Sequence, residues 1–125
     1  MFKTVLFPLN RSQETRQAVD IAIELVQKYQ ADLYVLSVME PDGDRQSSQD
    51  LIQEVQSYFS AVGISVKTKV AEGKAAFVIC DFADEINADL IIMGSRGVSL
   101  AEDHPDDSVS QKVINLSPCP VLVVP

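Results

Sequence analysis

Five short apolar runs, at residues 2–9, 33–39, 64–70, 90–93 and 121–124, recur along this chain with a helical pattern in each interval. The runs are rich in Val, Ile and Leu and have the length of strands. Between them apolar residues repeat at three and four. Ala18, Ile21, Ala22, Leu25 and Tyr29 form one stripe, and Leu51, Val55, Tyr58 and Val62 a second. Ala76, Ile79, Cys80, Ala83 and Ile86 form the third, and Val109, Val113 and Leu116 the fourth. This spacing predicts four helices, each with one buried face. Strands alternating with helices mean βαβ units, and their right-handed crossovers build a mostly parallel sheet. The expected fold is a doubly wound α/β domain with helices on both faces. Leu90-Ile91-Ile92-Met93, apolar at each position, fits a central strand covered on both sides. Ser12 should precede the first helix and Ser47 or Ser48 the second, while Gly73 breaks the chain before the third. Pro118 and Pro120 hold the chain extended into the last strand.

With 125 residues and no repeat or linker, the chain reads as a single domain over residues 1–125. Ten Lys and Arg face eighteen Asp and Glu, a formal net charge of −8. That balance excludes nucleic acid and an anionic membrane surface as general partners, since both require a basic patch. No apolar run approaches a bilayer span. Met1 is followed by a single nearby Lys and no extended apolar stretch, so no secretory signal is expected. Cys80 and Cys119 lie 39 positions apart without metal-ligand spacing, which argues against a metal centre or a disulfide framework. A soluble, cytoplasmic protein is the expectation.

In open α/β sheets, ligands gather at the carboxyl ends of the strands, beside the switch in strand order. Residues 8–12, 38–41, 72–74 and 94–97 should meet at that rim. The first turn has no glycine, so the dinucleotide fingerprint is absent. Gly73-Lys74 is followed by Ala75, and Thr68 stands where a phosphate-binding loop needs its first glycine. Gly94 and Gly97 are the remaining signal. They allow converging backbone N–H groups to form an anion-binding nest, or they simply let the chain turn off a buried strand. The last helix, starting near Asp107 or Ser108, would point its positive end into the same space. The connection from Gly94 to about Asp107 is long for a βα loop, which favours function. It also carries Glu102, Asp103, Asp106 and Asp107, with no Lys or Arg between Arg96 and Lys112. Those carboxylates oppose an anionic ligand unless a divalent cation intervenes.

The remaining conspicuous residues have ordinary uses. His104, the only histidine, reads as a solvated loop residue, since no nucleophile is paired with it by spacing. Cys80 falls on an apolar stripe and reads as a core residue. Cys119 reads as packed, and a redox role for it would require a depressed thiol pKa. Arg96 either pairs with the acidic loop or holds a phosphate. The last run, residues 121–124, should be an apolar edge strand. Such an edge invites pairing with a second copy about a two-fold axis, and a homodimer is expected.

Three segments together resemble the universal stress protein family along the whole chain. They are Val5-Leu6-Phe7-Pro8-Leu9-Asn10-Arg11-Ser12, then Ala88-Asp89-Leu90-Ile91-Ile92-Met93-Gly94-Ser95-Arg96-Gly97, and finally Ser108-Val109-Ser110 with Pro118-Cys119-Pro120-Val121-Leu122-Val123-Val124. The resemblance implies a five-stranded parallel sheet of the adenine-nucleotide alpha-hydrolase-like kind. It also implies homodimers paired through the last strand and a role in the stress response. Relatives divide into a nucleotide-binding and a non-binding branch. The binding branch carries G-x-x-G, nine residues, then G-[S/T], with an Asp two residues after the first strand's proline. By that matching Gly94, Gly97 and Ser108 are kept. Pro8, Val38, Met93 and Val109 fall at positions that line adenosine or phosphates.

The departures bear on the phosphates. Asp107 stands where the second motif has glycine, adding a Cβ and a charge. Asn10 replaces the acidic residue and Arg11 the small residue beside it, and Leu100 stands where glycine often follows the first pair. Asn10 keeps an acceptor but loses the charge-assisted bond of a carboxylate. Asp106 or Asp107 is expected to cap the last helix and occupy the space of a phosphate. The implied protein is a homodimeric regulatory or binding module with a degraded nucleotide site and no resident cofactor. No residue set forms a catalytic constellation, so no catalytic role is assigned and the question of an enzyme stays open. The alternative is a member that binds ATP with Mg²⁺ and has weak ATPase activity. The site residues of either reading are Pro8, Asn10, Val38, Met93, Gly94, Arg96, Gly97, Ser108 and Val109.

Overall fold

The structure is a computed structural model that describes residues 2–9, 15–39, 41, 43–94 and 109–125. Its elements run β1 (Thr4–Leu9), α1 (Thr15–Tyr29), β2 (Asp32–Met39), α2 (Arg45–Ser60), β3 (Val66–Glu72), α3 (Ala75–Glu85), β4 (Leu90–Gly94), α4 (Val109–Leu116) and β5 (Val121–Val124). The strands form one sheet in the order β3-β2-β1-β4-β5, with each adjacent pair parallel. The doubly wound α/β fold is therefore present.

The alternation of side chains along the strands divides the core into two. Val5, Phe7, Leu33, Val35, Leu90 and Ile92 pack with α1 and α2 on one face. Leu6, Leu36, Ile91 and Met93 pack with α3 and α4 on the other. The first face is fixed by Phe7 and Phe59, edge to face with ring centres 6.1 Å apart. The chain covers one face while moving outward from β1 to β3. It then crosses back by α3 to β4 and covers the other face. The strand order reverses between β1 and β4, and there the connections leave in opposite directions.

Several sequence expectations shift in register. The buried stripe of α1 is Ala18, Val19, Ala22 and Val26, whereas Tyr29 is exposed and rests on Phe2. In α2 the buried residues are Ser48, Ile52, Val55 and Phe59, while Val62 lies beyond the helix and exposed. Both helices have apolar faces wider than one stripe, and packing against the sheet selects which side is buried. The second helix starts at Arg45, ahead of Ser47 and Ser48. Its N-cap is Asp44, whose carboxylate accepts the Gln46 N–H at 3.0 Å and the Ser47 hydroxyl at 3.0 Å. The third strand begins at Val66 because the Ile64 N–H donates to Phe59 O at the end of α2, 2.9 Å away. It continues to Glu72, paired with Met39. The expected starts at Ser12 and at Asp106 or Asp107 fall outside the described residues, as does His104.

The two edges of the sheet differ in character. On β3, Lys67 and Lys69 are exposed, with their ammonium groups 5.1 Å from the Tyr34 ring and 5.5 Å from the Phe82 ring. On β5, Val121-Leu122-Val123-Val124 carries no charge, and Leu122 is 37% exposed.

Candidate functional site: a cavity where the strand order reverses

Pro8 shapes this part of the sheet. The Lys3 carbonyl accepts from Asp32, toward β2, and the Thr4 carbonyl accepts from Asp89, toward β4. Backbone groups alternate along a strand, so Thr4, Leu6 and Pro8 face β4. Proline has no N–H to give. The β1–β4 ladder pairs Val5 with Leu90 and Leu6 with Ile91 and ends there. Toward β2 the ladder continues through Pro8 with Leu36 and Leu9 with Ser37. The two central strands thus part at their carboxyl ends, opening a crevice on the α3–α4 face.

A cavity of about 130 Å³ occupies this crevice. Among the described residues it is lined by Pro8 and Leu9 of β1, Val38 of β2 and Met93 and Gly94 of β4. Ala75 and Ile79 of α3 and Val109 and Ser110 of α4 line it as well. Met93, Ile79 and Ser110 are almost fully buried. Among the described residues the lining is apolar apart from backbone groups and the Ser110 hydroxyl, and that part of it suits a flat, uncharged ring system.

The structure brings together Pro8, Val38, Met93, Gly94 and Val109 of the residues singled out from the sequence. Asn10, Arg96, Gly97 and Ser108 lie outside the described residues. Leu9, Ala75, Ile79 and Ser110 were not singled out as site residues. Ile79 was visible only as part of a core stripe. Ala75 reaches the cavity because α3 crosses back over the sheet. The turn before it is tight: Gly73 has φ +144°, and its N–H donates to Met39 O at 3.0 Å.

Among the described residues no group of three or more His, Cys, Asp or Glu side chains is placed to hold a metal. No helix among them is long and apolar enough to cross a membrane. Both cysteines are free. Burial pushes the Cys80 thiol up from its ordinary value, with Asp81 and Cys119 adding to the effect. Burial also raises Cys119, against an opposing hydrogen bond from Ser117. Raised thiol pKa values are the opposite of what a reactive cysteine needs.

The chain matches the universal stress protein family over residues 1–125. It is 48% identical to universal stress protein Sll1654 of Synechocystis sp. over 136 aligned residues, covering 100% of this chain and 87% of that one. The chain belongs to the universal stress protein family. The fold of this universal stress protein is also that of a solved universal stress protein in complex with cAMP, with a TM-score of 0.84 and 24% identity over 99% of this chain and 97% of the other. An Arabidopsis thaliana member with AMP bound superposes with a TM-score of 0.76 at 19% identity, covering 98% and 90% of the two chains.

Proposed function

We propose that this universal stress protein is a non-catalytic binding module that takes the base of an adenine nucleotide, binds polyphosphates weakly and works as a homodimer. The observation that carries the reading is the apolar cavity where β1 and β4 part. Pro8, Val38, Met93, Gly94 and Val109 line it, and the family resemblance assigns these positions to the nucleotide. The relatives solved with cAMP and AMP support an adenine ligand in this fold.

The phosphate end is disfavoured by charge. Gly94 and Val109 both line the cavity, so the segment joining them starts and ends at its wall. That segment carries Arg96 against Glu102, Asp103, Asp106 and Asp107. That surplus of negative charge opposes a polyphosphate, to a degree that salt screens. Calorimetric titration with AMP and ATP, with and without Mg²⁺, tests this. AMP should bind more tightly than ATP, and Asp107→Gly should raise ATP affinity. Tight ATP binding by the unaltered chain would overturn the reading.

The second reading, an ATP–Mg²⁺ binder with weak ATPase activity, is favoured by the retained spacing of Gly94, Gly97 and Ser108. The acidic residues nearest that motif in sequence, Asp106 and Asp107, are outside the described residues, and no cation cluster is present among those described.

The dimer is supported by the contrast between the edges. Lysines on β3 discourage strand pairing, whereas β5 offers an uncharged edge to a second copy related by a two-fold axis. Sedimentation at micromolar concentration should show a dimer, and Leu122→Lys should shift it to monomer. A purely monomeric unaltered chain would refute the pairing.

A further inference from the structure

We infer that the outer edge of β3 is a docking site for an extended acidic polypeptide segment, which adds a strand there and sets alternate carboxylates against Lys67 and Lys69. The inference is independent of the nucleotide reading. β3 is an edge strand, and among the described residues no strand pairs with its outer side. Its ladder with β2 runs unbroken from Val66 to Glu72, with no proline in the strand. The Gly73 N–H donates to Met39 O at 3.0 Å, toward β2. Backbone groups alternate along a strand, so those of Lys67, Lys69 and Ala71 also turn toward β2. Those of Thr68 and Val70 turn outward, where the main chain of an added strand would meet them.

The side chains decide which strand fits. Lys67, Thr68 and Lys69 are exposed, so the middle of β3 is open on both faces. Alternation puts Lys67 and Lys69 on the same face as Ala71, which packs with α3. Their ammonium groups lie 5.1 Å from the centre of the Tyr34 ring and 5.5 Å from that of Phe82. Those rings are themselves edge to face, 5.9 Å apart. The aromatic pair holds the two cations side by side, and among the described residues neither forms an ion pair with a carboxylate. On a chain of net charge −8 this is a local reversal of sign.

Lysines on a sheet edge ordinarily keep other strands away. Here no bulge or proline in the strand assists them. A second copy pairing antiparallel about Thr68 would set Lys67 opposite Lys69, and like charges directly opposite repel. A strand with carboxylates two residues apart turns the same contacts into attraction, at cross-strand separations of about 5 Å. The block is therefore selective by charge.

Fluorescence anisotropy of the full chain with a labelled peptide alternating Glu with Val and Thr tests this. The control is a peptide of the same composition with its Glu residues consecutive. The alternating peptide should bind about tenfold or more tightly than the control, and salt should weaken it. Lys67→Gln combined with Lys69→Gln should weaken it by about tenfold or more while the thermal midpoint is unchanged. Hydrogen exchange at the Thr68 and Val70 amides should slow when the peptide binds. Absence of binding to folded protein, equal affinity for the two peptides, or unaltered affinity in the folded double variant would each overturn the inference. Binding that leaves the Thr68 and Val70 amides unprotected would do so too, because the peptide would then lie elsewhere. Protection of those amides in the free chain, rising with protein concentration, would give the edge to a second copy and refute the acidic partner.

Discussion

Asp89 and Thr4 are joined by a reciprocal pair of hydrogen bonds. The Asp89 N–H donates to Thr4 O at 2.7 Å, and the Thr4 N–H donates to Asp89 Oδ2 at 2.9 Å. The same oxygen accepts the Lys3 N–H at 2.9 Å. One carboxylate therefore ties the start of β1 to the start of β4, the two strands that part at their other ends. The register that places Pro8 beside the cavity begins at this clamp.

Asp89→Ala should lower stability by about 1–2 kcal/mol, the worth of a charge-assisted bond reduced for a half-exposed site. Urea unfolding would measure it as an earlier midpoint with an unchanged slope. A midpoint equal to that of the unaltered chain would show that the clamp contributes nothing.

The turn into α3 should be equally sensitive. A Cβ on Gly73 would lie 2.9 Å from Val78 Cγ2, and its φ of +144° is one that side chains avoid. Gly63 also has a positive φ, +81°, but a Cβ there meets nothing within 4 Å. Gly63→Ala should cost about 1 kcal/mol for the left-handed backbone alone. Gly73→Ala should cost more, about 2–3 kcal/mol, because strain and collision combine. Equal losses in the two variants would contradict this account.

Pro8 carries the argument that a missing N–H opens the cavity. Extending the β1–β4 register would set Pro8 opposite Met93, and both line the cavity. Pro8→Val restores the donor on the side facing β4. The ladder should then lengthen, the amide at position 8 should become protected from hydrogen exchange, and ligand affinity should fall. Rapid exchange at that amide would mean that the strands diverge for another reason.

The fold was legible because short apolar runs and repeats at three and four survive translation into strands and helices. Helix faces were less so. Val19 and Val26 displaced Tyr29 from the core of α1, since an apolar arc wider than one stripe leaves its rotation to the sheet. The wall of the cavity divides in the same way. Pro8, Met93, Gly94 and Val109 stand in segments whose motifs are read directly. Ala75 and Ile79 arrive by a crossover that spans two strands, and local sequence does not record which surface that crossover meets. Ser110 is buried despite its hydroxyl, and periodicity treats such a residue as solvent-facing.

The thiols give a pH dependence with a definite sign. Cys80 and Cys119 pack in the same apolar cluster, and burial raises both above 9.0. For Cys80 the neighbouring acidic groups are Asp81 and Cys119, and for Cys119 the neighbour is Asp89. As pH rises past 9.0, the unfolded chain releases these protons before the folded chain does. The folded state then binds more protons, so stability falls with increasing pH. Below the unfolded value both states are protonated and the effect vanishes. Unfolding midpoints should therefore drop from neutral to alkaline pH, and Cys80→Ala should flatten that drop. A thiol-specific reagent should react with the native protein far more slowly than with the unfolded chain at neutral pH. Fast native labelling at Cys119 would instead reveal an accessible thiolate and revive a redox role for it.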